Sequence, residues 1–180
     1  MANFEIAYKL TGQNEGGVSK DPDDVGGLTF RGLSMRYNPE WPGWRLLDAN
    51  GELLPGASMD EVVALHRAWF KTRYWDRCGL DHYESQPMAN EVYDGAILFG
   101  PGRVVEFLDA TYRALLGTIV KGINSGPVTA NRLFRDGLTR HVIFLLEAQR
   151  AVAHMERVME KPSQRKFLRG WINRLMDEDK

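Results

Sequence analysis

The residues best suited to chemistry lie in one stretch, Glu15-Gly16-Gly17-Val18-Ser19-Lys20-Asp21-Pro22-Asp23-Asp24-Val25-Gly26-Gly27-Leu28-Thr29. A glutamate at a helix end and an aspartate on a following glycine-rich turn can converge across a cleft, and such a carboxyl pair is the minimum equipment for cleaving a glycosidic bond. In that reading Glu15 protonates the leaving oxygen. Near neutral pH it must then stay protonated in an apolar, partly dry setting, while Asp24 stays ionised in a more polar one. Thr29 holds a water by its hydroxyl or orients Asp24. Gly16 and Gly17 let the backbone turn sharply and leave room for a bulky substrate. The plain alternative is a solvated glutamate beside a helix stop.

Other chemistries fit less well. A calcium loop starting at Asp21 would place Asp23 third and Gly26 sixth, but Val25 stands fifth and Gly32 twelfth, so the oxygen ligand set is broken. His66, His82, His141 and His154 show no HExxH spacing and read as surface or satisfied core residues. There is no P-loop, GxGxxG or GxSxG. Cys78, the sole cysteine, has no partner for a disulfide or a CxxC site and reads as a small buried hydrophobe. No metal or cofactor is expected.

A chain of 180 residues with 43% hydrophobic and 26% charged side chains is expected to form one compact soluble domain, which excludes disordered and collagen-like classes. The start, MANFEIAYKLTGQNEGG, mixes Glu5, Lys9 and Gln13 among apolar residues and reads as no signal peptide. The longest aliphatic or aromatic run, Val142 to Leu146, falls far short of the roughly 20 residues needed to span a bilayer. A net charge of −1 gives no whole-chain drive toward nucleic acid. The segment 132–174 is locally basic, with ten basic against four acidic residues, and reads first as a solvated helix face.

The elements that must position the carboxyl groups follow from periodicity. Phe4, Ala7, Tyr8 and Thr11 predict an opening helix. From Gly16 to Ser34 five glycines alternate with Val18, Val25, Leu28 and Phe30, predicting a hairpin or small irregular sheet. Ser58 with Glu61 forms a capping box for a helix carrying Val62, Leu65, Trp69 and Thr72 on one face. Pro101 starts a helix that Gly117 ends. Leu138, Val142, Leu145, Gln149, Val152, Glu156 and Met159 predict the longest helix, up to Pro162, and Ser163 is placed as the cap of a last helix bearing Phe167, Trp171, Ile172 and Leu175.

Glu15-Gly16-Gly17, Asp21-Pro22-Asp23-Asp24, Gly26-Gly27-Leu28-Thr29 and Gly32-Leu33-Ser34 together resemble the opening signature of the glycosyl hydrolase family 108 N-acetylmuramidases, a group of phage endolysins and secretion-activator proteins. Tyr93-Asp94-Gly95-Ala96, Phe99-Gly100-Pro101-Gly102-Arg103, Gly126-Pro127-Val128-Thr129 and the segment 167–174 resemble that family's C-terminal, peptidoglycan-binding-like region. The resemblance runs from about residue 4 to residue 175. It departs at Val18, where the family usually has an aromatic residue, and at Leu98, where it has asparagine.

The resemblance implies a mainly α, lysozyme-like α+β fold with a small β-hairpin or sheet near the N-terminus. Residues 1–180 would form one domain, with a catalytic part at 1–90 and a peptidoglycan-binding-like part at 91–180. It implies Glu15 as catalytic acid, with Asp24 and Thr29 positioning the attacking water of an inverting reaction. Asp21, Ser34, Tyr37, Trp41, Tyr93 and Asp94 are the expected substrate-binding residues. Flat rings such as Tyr37, Trp41, Trp44 and Tyr93 suit a pyranose face; the plain alternative is that most of them fill the core or pin a loop. The implied partners are peptidoglycan glycan strands and a holin or secretion partner, with no nucleic acid and no membrane insertion. The protein is expected to be a monomer, made in the bacterial cytoplasm and acting on the wall in the periplasm after release. Lytic transglycosylation, or a catalytically silent peptidoglycan-binding secretion accessory, are the alternatives.

Overall fold

The computed structural model describes residues 1–13, 18–19, 28–117 and 126–176. These residues adopt the expected mainly α, lysozyme-like fold with a small antiparallel sheet near the N-terminus. The chain divides into two compact units, Tyr8–Arg73 and Met1–Ala7 with Tyr74–Lys180.

The unit Tyr8–Arg73 holds most of α1 (Phe4–Gln13), strands β1 (Val18–Ser19), β2 (Thr29–Phe30) and β3 (Leu33–Ser34), a 3-10 turn at Pro42–Leu46, and α2 (Met59–Phe70). The strands lie in the order β1-β2-β3, all antiparallel, with Phe30 opposite both Val18 and Leu33 and Thr29 opposite Ser19 and Ser34. The Ser58 hydroxyl caps α2 by accepting from the Glu61 amide at 3.2 Å, as the sequence predicts. The buried face of α2 is Val62, His66 and Phe70, a strict four-residue step, so Leu65 and Trp69 are only half-buried. An aromatic cluster makes this core. Phe30 stacks on Trp41 at 5.6 Å, Trp44 meets Trp41 edge-on at 4.7 Å, and His66 stacks on Phe70 at 4.1 Å. Gly43 is dictated by this packing, because a Cβ there would lie 2.2 Å from the Trp41 ring.

The other unit is built around α3 (Gln86–Phe99), packed by α4 (Pro101–Leu116) and α6 (Thr139–Glu160), with α5 (Gly126–Arg135) and α7 (Arg165–Leu175) outside them. Nine consecutive residues of α3, Met88 to Ala96, are buried. Such a helix has no polar stripe, and hydrophobic periodicity therefore passes over it. Its start is marked by Ser85, whose hydroxyl accepts from the Met88 amide at 3.3 Å. Phe4 packs here too, edge-on to Trp75 and Tyr93. Gly117, at φ 64°, ends α4 as expected.

Two expectations need correction. The buried edge of α6 is Val142, Leu146, Arg150 and His154, not the stripe through Leu145, Val152 and Met159, the last of which is 74% exposed. Polar residues occupy the inner face because α3 presents carboxylates to it. Ser163 does not cap α7: it lies inside a 3-10 turn, Pro162–Gln164, and α7 follows with no side-chain cap.

Those carboxylates form a buried charge network. Arg150, fully buried, pairs with Glu91 and Asp94 of α3, and Asp94 accepts a second guanidinium, with Arg174 Nε at 2.9 Å from Oδ1. Burial pushes the Asp94 carboxyl up, but Arg150 and Arg174 outweigh it and hold the group below its ordinary value. Beside them His154 is buried in a ring stack with Trp171 at 4.7 Å, and burial together with the nearby guanidinium groups lowers its pKa to about 4. Cys78 is buried, and its thiol is pushed up to about 12 by desolvation, which makes it the inert hydrophobe that the sequence suggests.

Candidate active site

Glu15 follows the end of α1 at Gln13 by two positions, and Asp24 belongs to the connection between β1 and β2. Glu15, Asp21 and Asp24 themselves lie outside the described residues. Thr29 is half-buried on β2, directly across the ladder from Ser34, so two of the expected site residues meet.

The β2–β3 hairpin turns through Arg31 and Gly32, whose φ values are 44° and 78°. Two successive positive φ angles are the pattern of a type I′ turn, which matches strand twist but favours asparagine, aspartate or glycine first. Arg31 is the one non-glycine residue at positive φ among the described residues. Such a conformation costs about 1–3 kcal/mol and persists only where neighbours hold it. Here the neighbour is His66: its Nε2 donates to the Arg31 carbonyl at 3.2 Å, and its Nδ1 accepts from the Tyr8 hydroxyl at 2.8 Å. Because the carbonyl can only accept, Nε2 carries a proton, and with the pKa lowered to about 4 the ring is neutral near pH 7, which leaves Nδ1 to accept from Tyr8. Tyr8 on α1, His66 on α2 and the turn after Thr29 are thereby tied together.

Burial lowers the His66 pKa to about 4, opposed by the bond to the Arg31 carbonyl and assisted by the Arg31 charge. The unfolded chain therefore binds a proton here before the folded one does. Stability is expected to fall as pH drops from about 6.5 to about 4, by up to about 3 kcal/mol from this residue, and to level off in this contribution below that range. Urea unfolding across that range should show a smaller slope for His66→Gln than for wild type. Identical slopes would refute the assignment.

The aromatic residues expected to face a sugar are divided by the fold. Tyr37 is 64% exposed. Trp41 is 1% exposed, stacked on Phe30 and met at right angles by Trp44 and His66, and Trp44 is buried with its Nε1 donating to the Asn38 carbonyl at 2.8 Å. Tyr93 is fully buried on α3, and Asp94 is buried in the Arg150 and Arg174 pairs; both belong to the other compact unit. Sequence reasoning passed over Tyr8, Arg31 and His66 as a group. Their signal was a polar residue on the inner face of each of two amphipathic helices, and an arginine before a glycine in a two-residue turn.

Tyr8, Thr11, Gly12, Arg31, His66 and Phe70 line a recess of about 30 Å³, room for a water. A larger groove of about 380 Å³ lies between α4 and α6 and is mostly apolar. Its lining contains a single carboxylate, Glu156, so it lacks the pair that glycoside hydrolysis requires.

The family model described as Glycosyl hydrolase 108 matches residues 8–100. The solved structure titled "Structure of Brucella abortus SagA" is similar in fold, with a TM-score of 0.66 at 19% identity over 96% of this chain and 89% of that one. No curated protein matches the sequence.

Proposed function

Because the chain belongs to the glycosyl hydrolase 108 family, and so is a glycoside hydrolase directed at peptidoglycan, we propose that it is an N-acetylmuramidase cleaving the β-1,4 bond between N-acetylmuramic acid and N-acetylglucosamine. The observation that carries this reading is that the family match, residues 8–100, spans the whole Glu15 to Thr29 block. In the proposed reaction Glu15 gives its proton to the glycosidic oxygen as the bond to C1 breaks. Asp24 takes a proton from a water that attacks C1 from the opposite face, so the anomeric configuration inverts. Thr29 orients that water. The hairpin braced by His66 supports the scheme by holding Thr29 beside Ser34.

Mass spectrometry of digested sacculi tests the reading. Hydrolysis adds water across the bond and leaves muropeptides with reducing-end muramic acid. Anhydro-muramic products would instead mean that the sugar's own 6-hydroxyl attacks, and release of N-acetylglucosamine reducing ends would place the cut at the other linkage. Either result overturns the muramidase assignment.

A further inference from the structure

Arg31 is an expensive residue for its place. Asparagine or glycine would adopt its backbone with less strain, yet the fold keeps arginine there and holds its carbonyl with a hydrogen bond from a buried imidazole that is itself bonded to Tyr8. Its guanidinium lies over the Phe30 ring at 5.7 Å and has no carboxylate partner among the described residues. It lines the recess with Tyr8, Thr11 and Gly12, at the end of the helix that leads into Glu15. Only two positions separate it from Thr29. A half-buried cation with no carboxylate partner among the described residues, on the same hairpin as Thr29, suits an anionic group on the ligand, and the planar guanidinium matches a carboxylate in geometry.

We propose that Arg31 is a specificity residue that binds a carboxylate on the lactyl-peptide arm of muramic acid, and that His66 and Tyr8 hold its backbone in the strained turn that presents it. The proposal rests on the peptidoglycan reading above. It explains why the strain is retained: the turn carries Thr29 on one side and aims the cation on the other. The carboxylate has two sources, the lactyl group of peptide-free muramic acid and the acidic residues of the stem peptide, which share one chemistry.

The test is a cycle of two changes, Arg31→Asn in the protein and methyl esterification in the ligand. The probes are Glu15→Gln protein, to prevent turnover, with muramyl disaccharides that either carry or lack the stem peptide. Binding is read by calorimetry or NMR titration. Removing the cation is expected to weaken binding of the free acid about tenfold or more and to leave the ester unaffected. Arg31→Lys should recover part of the loss, and Arg31→Asn should be at least as stable to urea as the parent, because asparagine suits the turn. Loss only with the peptide-bearing probe assigns the stem carboxylates; loss only with the peptide-free probe assigns the lactyl carboxylate, which becomes an amide once the peptide is attached; loss with both means that the cation takes either carboxylate. If the two changes are additive, or Arg31→Asn binds the acid like the parent, the proposal is overturned while the peptidoglycan reading stands. If the parent binds neither probe and wild-type protein leaves sacculi intact, both fall together.

Discussion

Glu15→Gln is expected to lower peptidoglycan hydrolysis by about 10²–10⁴-fold while leaving the fold and wall binding unchanged. Glutamine keeps the size and hydrogen-bonding reach of the side chain but has no proton to give to the leaving sugar oxygen. Without it the departing alkoxide must leave unprotonated, and the barrier rises by the whole contribution of general acid catalysis. Turbidity clearance and reducing-end release on purified sacculi measure the rate, and circular dichroism checks that the fold is retained. Clearance at the wild-type rate would show that the acid lies elsewhere. Asp24→Asn should also fall by a large factor, because the water then has no base to receive its proton. If Glu15→Gln is inactive and Asp24→Asn is not, Asp24 has no role in the reaction.

The second large effect concerns stability. Asp94→Asn is expected to lower the unfolding free energy by about 3–5 kcal/mol, since removing one partner of a buried pair strands the other charge. Two guanidinium groups lose this carboxylate, Arg150 with no exposure and Arg174 at 12% side-chain exposure. Glu91 remains for Arg150, so α6 keeps one tie to α3, but the tie from α3 to α7 is lost. Urea unfolding measures the loss. The same variant separates this role from the substrate contact that the motif around Asp94 implies. An unchanged unfolding midpoint with weakened muropeptide binding would return Asp94 to the sugar site; a lowered midpoint with unchanged affinity per folded molecule assigns it to the helix packing.

Much of this organisation was legible in the residues. The cap at Ser58, the glycine stop at Gly117 and the glycine-rich hairpin are local features, decided by side chains and backbone preferences within a few residues of each other. The helix α3 was not legible by periodicity, because a helix buried on every side has no polar face to set the rhythm. The inner stripe of α6 was misread for a related reason. Arg150 and His154 look like surface residues until the carboxylates of α3, more than fifty positions earlier, are placed against them.

The candidate site divides in the same way. By itself the sequence determined the groups on offer: a glutamate, an aspartate and a threonine in an order that resembles a glycoside hydrolase family's signature, within a block matched by that family. Residue type sets which groups can give or take a proton, and that inventory does not depend on the fold. Tertiary structure decided which side chains are available. It turned Trp41 and Tyr93 from candidate sugar platforms into covered core rings, left Tyr37 in solvent, and enclosed Asp94 between two guanidinium groups. It also joined Tyr8, Arg31 and His66, which stand 23 and 35 positions apart, into one brace under the hairpin of Thr29. Exposure and long-range pairing are properties of the packed chain, because each is set by what other segments bring to the same place.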